Sequence, residues 1–294
     1  MHPSWLRERI KGVRRLCLSV VLFAALATLG AAEERYFYSA GVKIRYVIEG
    51  KGVPVVLIHG WQADAGMWGK ELRPAKGYQL IALDCRGHGQ SGKPRWIKDY
   101  GPKMADDVVR LLDTLKIKRA HLVGYSMGAF IVGKILERQP SRVISAVFGG
   151  QAPILQTGNN RPAEEVSIFY NAVKRGKGLG AYIRYARPNM SPETAEKVAA
   201  SMFGSRDVRA LAASGMSFPA LAVPASALSE CRVPALFIHG SREAASTLEA
   251  VEKTRALMPR SSHFVVPGTD HMTTLIHPAF GKEIQKFLDQ YSPQ

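Results

Sequence analysis

Gly124-Tyr125-Ser126-Met127-Gly128 is the stretch that most constrains what this chain can fold into. It stands between an apolar run at 120–123 and a small-residue, apolar stretch at 129–136. A strand that ends in Gly-x-Ser-x-Gly and turns at once into a helix puts its serine on a tight, strained corner. The glycines sit where neighbouring backbone leaves no room for a side chain. The hydroxyl then stands at the top of the sheet, and the first helical N–H groups point at the same spot. Five residues alone also fit an ordinary Gly/Ser-rich turn, so the rest of the chain has to agree.

It does. Residues 54–58 are a short, wholly apolar run of the kind buried on both faces of a parallel sheet, and 78–83, 143–148, 233–238 and 263–266 read as further strands. Helical spacing falls between them: 99–117, with Met104, Val108, Leu111, Leu112 and Leu115 on one stripe, then 246–257 and 275–291. A short helix is expected over 68–76. Residues 35–39 and 43–49, joined at Ala40-Gly41, read as a hairpin at one edge. Strands alternating with helices through short connections predict a doubly wound, mostly parallel α/β sheet with right-handed crossovers.

The alternation stops at Gly149-Gly150-Gln151. Residues 152–230 show helical patterns at 163–174, 195–203 and 208–216, carry several prolines and offer no strand. We expect an all-helical cap over 152–230, inserted between core segments 33–151 and 231–294. Phe169, Tyr170, Tyr182, Tyr185, Met190, Met202 and Phe218 are candidates to line a pocket beneath it, although ordinary cap core is the commoner fate of such side chains.

The N-terminus belongs to a different pattern. Arg7, Arg9, Lys11, Arg14 and Arg15 stand against the single Glu8, an uncharged run covers 16–29, and Gly30-Ala31-Ala32 follows. This is the order of a secretory signal, residues 1–32, whose removal would leave an exported protein, periplasmic or secreted, with no stable membrane span. Of the formal net charge of +16, +12 then remains, spread along the chain. There is no polybasic tract or aromatic-rich nucleic-acid motif, so a nucleic-acid partner is not expected. Cys85 is expected just past the C-terminal end of one strand and Cys231 just before the start of another, at opposite edges of a parallel sheet and too far apart for a disulfide; both read as buried small hydrophobes.

Five markers, in order, now carry a resemblance. They are His59-Gly60-Trp61 after the third strand, Asp84-x-Arg86-Gly87-x-Gly89-x-Ser91 after the fourth and Gly124-x-Ser126-x-Gly128 after the fifth. Gly240-x-x-Glu243 after the penultimate strand and Gly268-x-x-His271 after the last complete the series. Together they resemble the α/β-hydrolase superfamily over residues 35–294, the cap only in its architecture.

The resemblance implies a serine hydrolase acting on a small or medium carboxylic ester, with neither metal nor cofactor. Ser126 would be the nucleophile, needing a base to take its proton. His271 would be that base, since its strand end reaches the same rim and the order Ser…acid…His fits. Glu243 would be the acid, where the family more often has aspartate; a glutamate orients an imidazolium equally well. The oxyanion donors would be the backbone N–H groups of Trp61 and Met127. His59 would support its loop, and Asp84 and Arg86 would tie the loop beneath the site. Serine at the corner argues against the aspartate-using epoxide hydrolases and haloalkane dehalogenases. The same triad also serves C–C bond hydrolases, lactonases, amidases and cofactor-free perhydrolases, and a binding protein could keep the fold without catalysis.

Overall fold

The structure, a computed structural model, describes residues 32–69 and 77–293. Eight strands form one sheet: β1 (Glu33–Ser39), β2 (Val42–Gly50), β3 (Gly52–Ile58), β4 (Gly77–Leu83), β5 (Ala120–Tyr125), β6 (Val143–Gly149), β7 (Ala235–Gly240) and β8 (Ser261–Val266). Their spatial order is β1-β2-β4-β3-β5-β6-β7-β8. β1 and β2 pair antiparallel, as do β2 and β4; every later pair is parallel. The hairpin turns on Ala40 (φ 48°) and Gly41 (φ 81°), the two left-handed residues that a tight primed turn demands.

β5 lies centrally and is buried at every position, which is why 120–125 carries no alternation of polar and apolar residues. Helices cover both faces. Pro102–Thr114 (α1) and Met127–Arg138 (α2) pack on one side, around Met104, Val108, Leu111 and Ile131. The closing helix packs on the other through Phe280, Ile284 and Phe287. Fully burying one such side chain contributes roughly 1.5–3 kcal/mol.

Helix starts differ from the expectation where proline decides them. α1 begins at Pro102 rather than 99, because Gly101 sits at φ 60° as its cap and Pro102 takes the first helical position. Residues 97–99 form a separate 3₁₀ turn. The closing helix likewise begins at Pro278 rather than 275, capped by the His277 ring, whose Nδ1 accepts the Ala279 N–H at 3.2 Å.

Between β6 and β7 the described residues hold helices and no strand: α3 (Glu164–Arg175), α4 (Gly180–Ala186), α5 (Pro192–Phe203), α6 (Val208–Met216) and α7 (Ala225–Ser229). The final pair is α8 (Ala245–Leu257) and α9 (Pro278–Tyr291). α4 was not expected. α5 starts earlier than expected, where Ser191 caps it by accepting the Thr194 N–H at 3.2 Å. Both ends of this excursion meet in a parallel bridge between Leu155 and Val223.

The excursion has its own core of Phe169, Leu179, Ile183, Ala195, Phe203 and Leu211. This corrects part of the pocket expectation. Phe169 is wholly buried, Phe218 joins the main core, and Tyr185 and Met202 face solvent. Cys85 and Cys231 are free and buried. The expected signal and most of the expected 68–76 helix lie outside the described residues. Among the described residues no helix is long and apolar enough to cross a membrane.

Candidate active site

Ser126 stands between β5 and α2 at φ 53°, ψ −114°. A non-glycine residue held there stores about 1–3 kcal/mol of strain, maintained by its surroundings. The Ser126 N–H donates to the Gly149 carbonyl at 2.8 Å, and its own carbonyl accepts the Ala129 N–H at 2.9 Å. The flanking glycines are steric necessities. A Cβ on Gly124 would lie 2.3 Å from the Gly128 oxygen, and one on Gly128 would lie 2.0 Å from the Ile58 oxygen.

The loop after β7 brings Glu243 to the loop after β8. His271 Nδ1 lies 3.1 Å from Glu243 Oε2, with the carboxylate side chain 2% exposed and the imidazole 37% exposed. With Nδ1–H donating to the carboxylate, the Nε2 lone pair is left free to act as a base. Glu243 Oε1 is buried with no hydrogen-bond partner among the described residues, so His271 carries this carboxylate's visible pairing.

His271 is seated by the residue before the serine. The Tyr125 hydroxyl donates to the His271 carbonyl, and the two rings lie 5.3 Å apart. A Cβ on Gly150 would come within 3.1 Å of His271 Cε1. The imidazole therefore rests on the Gly149–Gly150 turn, whose first carbonyl holds the Ser126 N–H. Ser126 Oγ itself makes no hydrogen bond among the described residues. His271 is thus joined to Glu243 but not closed onto Ser126, and contacts of this kind commonly tighten only when substrate is bound.

β3 delivers the opposite wall. A Cβ on Gly60 would lie 3.4 Å from Ser126 Cβ and 4.0 Å from its Oγ, so the loop carrying Trp61 passes beside the hydroxyl. Neither the Trp61 nor the Met127 backbone N–H meets an acceptor among the described residues. The Trp61 ring points away toward the excursion: its Nε1–H donates to the Leu211 carbonyl at 2.9 Å, and it meets Phe169 edge-on at 5.1 Å.

The remaining polar markers support these loops. His59 is wholly buried; its Nε2 accepts the Cys85 N–H at 2.9 Å and its Nδ1–H donates to the Gly60 carbonyl at 2.7 Å. Burial holds its pKa below the ordinary imidazole value, which keeps it neutral. Asp84 accepts the Ala65 and Gln90 N–H groups at 2.8 and 2.7 Å, tying the loops after β3 and β4 together. Arg86 grips buried Asp107 through two bonds of 2.7 and 2.5 Å.

Other carboxylates stand elsewhere. Asp270 folds back on its own exposed loop, accepting the Thr273 N–H at 2.9 Å, and Arg242 donates to the Gly268 carbonyl rather than to Glu243. At the end of β6, Gln151 donates to Thr247 at 3.0 Å. The residue that sequence reading missed is Tyr125, since Gly-x-Ser-x-Gly leaves that position free. No group of three or more potential metal ligands occurs among the described residues.

A family model for the alpha/beta hydrolase fold matches residues 53–278, and the chain belongs to that family. It is 29% identical to 2-(acetamidomethylene)succinate hydrolase of Mesorhizobium japonicum, over 82% of this chain and 90% of that protein. It is 40% identical to the dihydrolipoyllysine-residue acetyltransferase component of the acetoin cleaving system of Cupriavidus necator. That match covers 37% of this chain and spans only 29% of the relative's length. Among solved structures, the enol-lactonase of Burkholderia xenovorans LB400 superposes with a TM-score of 0.72 at 24% identity, covering 87% of this chain and all of that one.

Proposed function

We propose that this chain is an exported serine hydrolase that cleaves a small or medium carboxylic ester through an acyl-enzyme. The observation that carries the reading is the 3.1 Å pair between His271 Nδ1 and buried Glu243, on the rim where Ser126 is held in its strained corner.

In this reading Ser126 Oγ attacks the ester carbonyl carbon while His271 Nε2 takes its proton. Glu243 fixes the imidazole and stabilises the imidazolium that forms. The developing oxyanion accepts from the Trp61 and Met127 N–H groups, each worth on the order of 3 kcal/mol of barrier. Collapse expels the alcohol, protonated by His271. Water, deprotonated by the same ring, then releases the acid and restores Ser126. Membership of a hydrolase family agrees with this chemistry; the ester bond is inferred from the site. Export rests on the N-terminal pattern, and a mature N-terminus at Glu33 is its readout.

The test pairs 4-nitrophenyl acetate and butyrate with wild type and Ser126→Ala. Wild type should turn both over and Ser126→Ala should lose about a thousandfold or more. A fluorophosphonate probe should label wild type and spare the variant. Equal hydrolysis or equal labelling would remove Ser126 from the chemistry.

A further inference from the structure

One surface feature lies outside the site. A groove of about 780 Å³ runs between the 93–99 loop and helices α3 and α6. Arg95, Lys98, Lys174 and Arg209 line it, all four are exposed, and none makes an ion pair among the described residues. No acid lines it; Asp99, next along the loop, is engaged by Lys103 at 3.1 Å. Apolar groups stand among these cations: Trp96 is 67% exposed, Ile97 is 40% exposed, and Tyr170 and Val173 form the floor opposite.

The loop that presents Trp96 is not loose. The buried Arg86 guanidinium donates to the Asp99 carbonyl at 2.7 Å, and the Tyr100 hydroxyl donates to the Pro94 carbonyl at 2.5 Å. Backbone bonds close the 3₁₀ turn between, from Asp99 N–H to Trp96 O at 2.9 Å. The fold therefore holds a tryptophan and an isoleucine out into solvent on a braced loop, ringed by unpaired positive charge.

We propose that this face docks on the surface of a bilayer rich in anionic phospholipid. Trp96 and Ile97 would enter the headgroup layer, and the four cations would meet lipid phosphates. Both halves of the chemistry are needed together. Exposed Lys and Arg without a cradle of converging donors do not build a pocket for a small anion, whereas an anionic interface rewards each such charge separately. Trp is the side chain best suited to the headgroup depth, its ring apolar and its N–H still able to bond. The net charge of +12 that remains without residues 1–32 adds a long-range pull toward such a surface. A polyanion such as duplex DNA would use the charges but gives no reason for Trp96 and Ile97 to be held in water.

The test uses the full chain with vesicles of phosphatidylglycerol or phosphatidylcholine carrying brominated acyl chains, at about 100 mM salt. Tryptophan fluorescence should be quenched by the anionic vesicles and not by the zwitterionic ones. Trp96→Phe should lose most of that quenching while still sedimenting with the vesicles. Lys174→Glu with Arg209→Glu should weaken partitioning at least twentyfold, from about fivefold per charge removed. Lys282→Glu with Lys286→Glu, on α9 at the other face of the sheet, should change it by less than threefold. Three results would each overturn the proposal: quenching unchanged in Trp96→Phe, equal loss in both double variants, or equally tight binding to duplex DNA with no vesicle quenching.

Discussion

The Tyr125 hydroxyl donates to the backbone carbonyl of His271, and the His271 ring lies against the Tyr125 ring at 5.3 Å. The residue that precedes the proposed nucleophile thus holds the proposed base by its main chain, so one strand end sets the position of both.

Tyr125→Phe keeps the ring and removes the bond. Because the His271 carbonyl loses its donor, stability should fall by about 1–2 kcal/mol. If the bond positions the imidazole, kcat should drop about tenfold with KM nearly unchanged. A purely structural role would move the urea midpoint and leave kcat alone, so steady-state kinetics beside urea unfolding separates the two.

The corner at Ser126 predicts an unusual ranking of variants. At φ 53° a Cβ is strained, so Ser126→Gly should be more stable than Ser126→Ala by about 1 kcal/mol. Elsewhere in a buried segment the order would be reversed. Thermal unfolding of the two variants, compared directly, gives the answer.

Buried histidines make stability depend on acid. His121 is held at a pKa of about 4 by burial, with Arg119 adding to the effect, and burial lowers His59 and His88 in the same direction. Well above pH 6.5, the ordinary imidazole value, these rings are neutral in both folded and unfolded chains and contribute no pH dependence. As pH falls from 6.5 toward 4, the unfolded chain takes up protons that the fold refuses, and stability declines by about 1.4 kcal/mol per pH unit for each proton withheld. Replacing His121 by Gln should flatten the slope of urea stability over that window by about one proton. An unchanged slope would contradict the assignment.

The Arg86–Asp107 pair is at most 2% exposed on either side. Arg86→Met alone strands a buried carboxylate and should cost about 3–5 kcal/mol, while Arg86→Met with Asp107→Leu should recover much of it. Chemical denaturation of the single and double variants closes that cycle. Because Arg86 also braces the Asp99 carbonyl, incomplete recovery would measure what that bond adds.

The site was legible in the sequence to the extent that its chemistry is placed by strand ends. His59, Asp84, Ser126, Glu243 and His271 each follow an apolar run, and in a parallel sheet such ends gather on one rim. Tyr125 was hidden because its position in the motif admits many residues and its role exists only through a contact with a loop far along the chain. The cap aromatics were misjudged for a related reason. Phe169 and Tyr185 lie on successive helices, yet one is wholly buried and the other 45% exposed, a difference set by how those helices pack. α4 gave little signal because it buries only Gly180 and Ile183 and follows a glycine-rich stretch. The starts of α1 and α9 were readable from Pro102 and Pro278, which outweigh the apolar spacing that extends beyond them.

The bridge between Leu155 and Val223 draws both ends of the helical excursion to a single narrow neck on the sheet. Everything between those two residues is therefore a cassette. Another helical segment could be grafted there if its termini met at the same spacing, and the sheet rim that carries Ser126, Glu243 and His271 would be left unaltered.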